Sequence, residues 1–131
     1  MLSQSARTIL IVDNNPIVRK LLRVALAKEG FFVKEAGTGE EAITIVREAA
    51  PDLVIQDLMI DGSDGIQLAL EYRKLPGADK FPMIAISGLQ PALVFAKAVQ
   101  SGFVDYLAKP VELTKLVEVV RAHLPVRRFP N

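Results

Sequence analysis

The stretch "VIQDLMIDGSDG", Val54 to Gly65, decides how the rest of the chain is read. It places Asp57, Asp61 and Asp64 within eight residues, spaced by four and then by three. A calcium loop of the EF-hand type needs oxygen ligands at every second position, followed by a distant Glu. The spacing here does not supply them. The residues before the acids say more. Leu53, Val54 and Ile55 form a short apolar run ending at Gln56 and Asp57, the mark of a strand buried on both faces. Asp57 therefore stands where a strand gives way to a loop. Asp64, with Gln67 three residues on, forms a capping-box signature for a helix opening near Gly65. Asp61 is left as a solvated loop acid.

The same unit recurs outward in both directions. "TILIVD" (Thr8 to Asp13) is a first buried strand, followed by Asn15 as N-cap and Pro16 at the first helical position. Ile17, Val18, Leu21, Leu22 and Ala25 then follow at helical spacing until Gly30. "FFVKEA" (Phe31 to Ala36) is the second strand. Thr38 and Glu41 suggest a capping box for a helix reaching about Ala50. After the helix that opens near Gly65 and ends near Leu75 come "MIAIS" (Met83 to Ser87), a helix over about Pro91 to Ser101, "VDYLA" (Val104 to Ala108), and a helix from Glu112 to Leu124. Five apolar strands alternating with five amphipathic helices predict an α/β fold, a parallel sheet covered on both faces.

The bulk properties agree with that architecture. The chain has 131 residues, 50% of them hydrophobic, enough for one domain with a real core. The expectation is a single domain over 1–131, its core about 8–124, with short tails at 1–6 and 125–131. There are no cysteines, which excludes disulfides and thiolate metal sites. A net charge of +1 argues against nucleic acid as a partner, and Arg127 and Arg128 do not change that. No apolar run is long enough for a membrane span or signal peptide, so a cytoplasmic location is expected.

In such folds ligands bind beyond the carboxyl ends of the strands. Asp13 and Asn14 stand at the end of the first strand, Asp57 of the third, Ser87 and Gly88 of the fourth, and Lys109 of the fifth. Each has an ordinary role available, as a turn residue, a cap or a solvated tip. Together they make a kit for phosphoryl transfer to Asp57. A carboxylate can attack phosphorus and form an acyl phosphate. The reaction needs positioning and charge neutralisation more than covalent machinery. A Mg²⁺ ion would bridge carboxylate and phosphoryl oxygens. Ser87 could bind one phosphoryl oxygen, Lys109 could neutralise another, and Gly88 leaves room for the group.

With "ILIVDNN", "DLVIQDLMIDGSDG", "IAISG" and "GFVDYLAKP" in this order, the chain resembles the receiver domains of two-component response regulators, from about Thr8 to Leu124. The resemblance implies a flavodoxin-like sheet of order 2-1-3-4-5. It also implies Asp57 as phosphoacceptor, with Ser87 and Lys109 completing the site. Mg²⁺ would be held by Asp13, residue 14, Asp57 and the Met59 backbone carbonyl. Ser87 and Tyr106 would form the switch, with Tyr106 the aromatic that turns inward, and the Lys109–Pro110 bond would be cis. Implied partners are a sensor histidine kinase or histidine phosphotransfer protein and a downstream protein target. Two positions depart from the pattern: Asn14 replaces the second acid, and Asp61 replaces a proline. Asn14 predicts weakened Mg²⁺ binding and motivates an alternative, a pseudo-receiver that interacts without phosphate.

A haloacid dehalogenase-type hydrolase would need an Asp-x-Asp pair, which Asp57-Leu58-Met59 lacks. A flavodoxin would need a Ser/Thr/Gly phosphate loop, which "DNNPIVRK" lacks. The expectation is thus a receiver, not an enzyme beyond its own phosphorylation and dephosphorylation; at natural length it would stand alone and signal through protein contacts, and as an excised piece its output would lie in the rest of the protein. Two surfaces are candidates for partners. The apolar "PALVFAKAVQ" suggests docking or homodimerisation through the fourth helix, fifth strand and fifth helix. The first helix offers an apolar face rimmed by Arg19, Lys20 and Arg23. His123 is read as a helix C-terminal residue favoured by the dipole.

Overall fold

A computed structural model describes residues 6–60, 63–77, 80–88 and 91–124, with the backbone alone for 63 and 91–95. Five parallel strands, β1 (Thr8–Val12), β2 (Phe32–Ala36), β3 (Leu53–Asp57), β4 (Met83–Ser87) and β5 (Phe103–Ala108), form one sheet of order 2-1-3-4-5. The helices are α1 (Pro16–Lys28), α2 (Gly39–Glu48), α3 (Gly65–Arg73), α4 (Pro91–Gln100) and α5 (Leu113–His123). This is the expected flavodoxin-like order, with element ends shifted by one or two residues.

Alternation along the strands builds two cores. Leu10, Val12, Val54, Met83 and Ala85 point to the face covered by α2, α3 and α4. Ile9, Ile11, Leu53, Ile55, Ile84 and Ile86 point to the face covered by α1 and α5. Since both faces of the three central strands are buried, β1, β3 and β4 read as apolar runs rather than alternating ones. Each of these side chains other than Ala85 contributes roughly 1.5–3 kcal/mol by leaving water.

The helix starts follow their capping residues, with two differences from the sequence reading. Asn15 Oδ1 accepts from the Ile17 and Val18 amides at 2.9 and 3.2 Å, and Pro16 follows without an amide to satisfy. Thr38 Oγ1 accepts from the Glu41 amide, but Glu41 returns to the Gly37 amide, one residue earlier than a capping box requires. Asp64 caps α3 through the Ile66 amide, whereas Gln67 turns outward to Glu71. A further element appears between β3 and α3: Met59–Ile60 pairs antiparallel with Ser63–Asp64. Two-residue strands carry no periodicity, so pattern reading passes over them.

The first helix also differs from a one-faced amphipathic helix. Leu22 and Leu26 are buried, while Ile17, Leu21 and Val24 remain exposed. Arg19 and Arg23 do not rim that exposed face. Both turn toward β2 and pair with Glu35, at 3.2 and 2.6 Å. The apolar first half of α4 has no described side chains. Farther along it, Ala98 is buried and Val99 exposed. Asp61, Arg127 and Arg128 lie outside the described residues.

Candidate functional site

Parallel pairing sets the strand ends side by side. Val12 is level with Gln56, Asp57 with Ile86, and Ser87 with Ala108. Asp13, Asp57, Ser87 and Lys109 therefore share the carboxyl edge of the sheet. Asp13 and Ser87 are wholly buried, Asp57 is 4% exposed, and Asn14 is exposed beside them.

Each carboxylate has one oxygen assigned to the backbone and one to a cation. Asp13 Oδ1 accepts from the Asn15 amide at 2.8 Å, and Asp57 Oδ1 from the Met59 amide at 2.9 Å. The two Oδ2 atoms lie 2.8 and 2.7 Å from Lys109 Nζ. Asp57 Oδ2 meets the ammonium as a hydrogen-bond acceptor. Asp13 Oδ2 is buried without an aligned hydrogen bond, so its contact with Lys109 is chiefly ionic. Burial works to lower the pKa of Lys109. Hydrogen bonding and charge from Asp13 and Asp57 outweigh it and raise the pKa above its ordinary value.

The backbone brings Lys109 to this point. Its amide donates to the Ser87 carbonyl at 2.9 Å, and the Lys109–Pro110 peptide is cis, as the resemblance implied. Tyr106, half-buried on β5, donates its hydroxyl to the same Ser87 carbonyl at 3.2 Å. The site and the β5 surface thus share one carbonyl. A Cβ at Gly88 would meet no protein atom within 4 Å, so the space beside it is open.

Two carboxylates share one ammonium, which leaves a buried excess of negative charge. Among the described residues no third His, Cys, Asp or Glu joins them as a metal cluster. The donor set still suits a hard dication: anionic oxygens of Asp13 and Asp57, one of them buried without an aligned donor, with a cation already between them. Asn14 can add only a neutral oxygen.

Two contributors escaped the sequence reading. Arg19 Nη1 donates to the Asp13 carbonyl at 2.6 Å and so holds the first acidic loop. Gln56, next to Asp57, is a wholly buried amide bonded to Tyr72 and to Gly65. A polar residue inside an apolar strand run was the available signal for Gln56. Nothing in the spacing indicated Arg19. His123, at the end of α5, lies 3.2 Å from Asp105 on β5 and away from the carboxylates.

A doubly wound sheet with two acids and a lysine at its carboxyl edge is an arrangement that can receive a phosphoryl group and neutralise its charge. The family model for the response regulator receiver domain matches residues 9–121, and the chain belongs to that family. It is 35% identical over 115 residues to an uncharacterized 14.6 kDa protein of Leptolyngbya boryana, spanning 88% of each chain. It is 36% identical to the DNA-binding response regulator MtrA of Mycolicibacterium smegmatis over 88% of its own length, but spans only 50% of that relative. A response-regulator structure from Chloroflexus aurantiacus superposes with a TM-score of 0.84 at 32% identity, covering 91% of this chain and 98% of that one. The chemotaxis protein CheY4 of Vibrio cholerae shares the fold, with a TM-score of 0.86 at 20% identity, over 91% of this chain and 99% of that one.

The chain is accordingly a phosphoaccepting receiver of two-component signalling. The family implies histidine kinase partners, downstream targets and, generally, Mg²⁺ in the acidic pocket. Receivers are generally not catalysts beyond their own phosphorylation. Among the described residues no helix is long and apolar enough to cross a membrane.

Proposed function

We propose that Asp57 is the phosphoacceptor, and that Asp13, Asn14, Asp57 and the Met59 carbonyl hold the Mg²⁺. The observation that carries this reading is the Lys109 ammonium set 2.8 and 2.7 Å from the two buried carboxylates. That arrangement holds the acceptor in place and neutralises part of the charge an arriving phosphoryl group brings. An oxygen of Asp57 bonds to phosphorus, the P–N bond to the donor imidazole breaks, and the imidazole leaves with the bonding pair. Bound Mg²⁺ would supply further charge neutralisation at the phosphoryl oxygens. Incubation with Mg²⁺ and acetyl phosphate should add one phosphoryl group by mass spectrometry, and Asp57→Ala should abolish the gain. A gain persisting in that variant would refute the assignment. A wild-type chain that stays unmodified at saturating Mg²⁺ would favour the phosphate-independent module.

The donor's docking face in this reading is the groove between α1 and α5. It is lined by Ile17, Leu21, Val24, Leu113 and Val117, with Lys20 and Lys28 along one side. α1 begins three residues after Asp13, so the groove opens beside the site. The channel is bordered by Glu29, Glu118 and Arg121 as well as the two lysines, so it fits an amphipathic helix with charges of both signs along its edges. The output face is α4, β5 and α5, where Val99 and Val104 are exposed and Tyr106 reaches back to the Ser87 carbonyl. A homodimer through that face would show in sedimentation on phosphorylation; identical sedimentation before and after would remove it. A histidine kinase draws its phosphoryl group from ATP, which supports the cytoplasm as the receiver's place of work.

A further inference from the structure

Gln56 is an unusual occupant for its position. It lies in the central strand, level with Val12 on one side and Ala85 on the other, both members of the apolar core under α2 and α3. Its side chain is wholly buried there. Burying an amide is unfavourable unless it is hydrogen-bonded, and an aliphatic residue would fill the space without that demand. The amide has partners on both ends. Tyr72 Oη donates to Gln56 Oε1 at 2.6 Å, and Gln56 Nε2 donates to the Gly65 carbonyl at 2.5 Å. The Gly65 carbonyl can only accept, which settles which end of the amide faces it.

What those partners hold is the return of the chain after Asp57. The backbone leaves the sheet at Asp57, turns through the Met59–Ile60 and Ser63–Asp64 ribbon, and re-enters at Gly65. There the Gly65 amide donates to the Leu58 carbonyl at 3.0 Å. The fit is close enough that a Cβ on Gly65 would stand 2.4 Å from the Asp57 carbonyl oxygen and 2.7 Å from Leu58 Cα. The first turn of α3 thus rests on the backbone of the acceptor residue. Any shift of that turn is transmitted to Asp57 and to the Met59 amide, which orients Asp57 Oδ1. Tyr72 lies two turns along α3, wholly buried, with its ring edge-on to Phe81 at 6.1 Å.

We infer that Gln56 and Tyr72 are positioning residues for phosphoryl acceptance, a clamp that fixes the α3 start against Asp57. The inference rests on Asp57 being the acceptor. The clamp couples three points: the residue before the acceptor, the end of its loop, and the body of α3. A displacement of about 1 Å in a reacting group can cost on the order of a hundredfold in rate. A clamp at the loop's closing point is therefore worth a buried polar pair that a purely structural core would not need.

The test separates positioning from stability. Tyr72→Phe leaves the Gln56 oxygen buried and unpaired, so the melting temperature should fall. Gln56→Met combined with Tyr72→Phe makes both partners apolar, and stability should largely return. Gly65 keeps its carbonyl within the first turn of α3, so the double variant leaves no orphan there. Phosphorylation by acetyl phosphate at saturating Mg²⁺ should nevertheless remain at least about tenfold slower in the double variant, given the sensitivity to displacement. Amide exchange at Met59 and Gly65 should be faster by a similar factor. A double variant with wild-type stability, rate and exchange would overturn the inference. Should the double variant not fold, Tyr72→Phe alone, which keeps every carbon of the ring, decides on the same readouts. If the wild type itself takes no phosphoryl group, the acceptor reading fails, and the exchange at Met59 and Gly65 still decides whether the clamp exists.

Discussion

Replacing Lys109 by Ala removes the cation that stands between two buried acids. Asp13 and Asp57 would then face each other without it. Deleting one partner of a buried ion pair typically costs about 3–5 kcal/mol. The Lys109 side chain is 26% exposed, so water already screens part of the interaction. The lower end, about 3 kcal/mol, is therefore the expected loss at neutral pH. For a domain of this size that is a fall on the order of 10 °C in melting temperature.

The pH dependence has a defined sign. The folded pKa of Lys109 lies above its ordinary value, so the folded state binds that proton more tightly than the unfolded one. Its contribution is complete below the ordinary lysine range, near 10.4, and is lost as pH rises through the raised folded value. The wild type thus enjoys it fully at pH 7. Mg²⁺ gives a second check. At a hundred times its Kd a ligand stabilises by about 2.7 kcal/mol, close to the deficit. The ion should raise the melting temperature of the variant more than that of the wild type, where the ammonium competes for the same oxygens. Differential scanning calorimetry from pH 7 to about 12, with the Mg²⁺ comparison made at pH 7, reads both effects. A variant melting within about 2 °C of wild type at pH 7 and gaining nothing extra from Mg²⁺ would refute the neutralising role.

Asn14→Asp restores an anionic oxygen beside Asp13 and should tighten Mg²⁺ by about tenfold or more, the loss typical of removing even an outer partner of a metal site. Equal affinities in a calorimetric titration would show that residue 14 is not a ligand. Gly65→Ala drives a methyl group into the backbone of Asp57 and Leu58. Overpacking costs about 1–3 kcal/mol, and the helical preference of Ala offsets up to about 1. Urea unfolding should therefore show a net loss, whereas Gly88→Ala, facing open space, should change little; a stabilised Gly65→Ala would contradict the described closure. Leu21 is 53% exposed, so Leu21→Glu should leave folding and acetyl phosphate reactivity intact while slowing transfer from the cognate kinase by about tenfold or more. Unchanged kinase transfer would remove the α1–α5 groove as the donor's seat.

Much of this was legible in the chain because it rests on local rules. The unbroken apolar runs at Ile9–Val12, Leu53–Ile55 and Met83–Ile86 announce strands buried on both faces, since only a doubly covered parallel sheet leaves no polar side. Asn15, Thr38 and Asp64 mark helix starts, because each offers its own side-chain oxygen to amides two or three residues away. Strand ends in such a sheet share one edge, so Asp13, Asp57, Ser87 and Lys109 could be brought together on paper. Contacts that span the chain were a different matter. That Arg19 turns to Glu35 and the Asp13 carbonyl, leaving Ile17 and Leu21 to a groove with α5, depends on how α1 rotates on the sheet. The two apolar faces of that helix are indistinguishable in its periodicity. That Lys109 reaches both acids, and that Gln56 finds a phenol on α3 and a carbonyl at its start, follows from packing elements separated by many residues. Periodicity and capping act within a turn or two of the chain, whereas side-chain pairing across layers is chosen by the volume the assembled core leaves free.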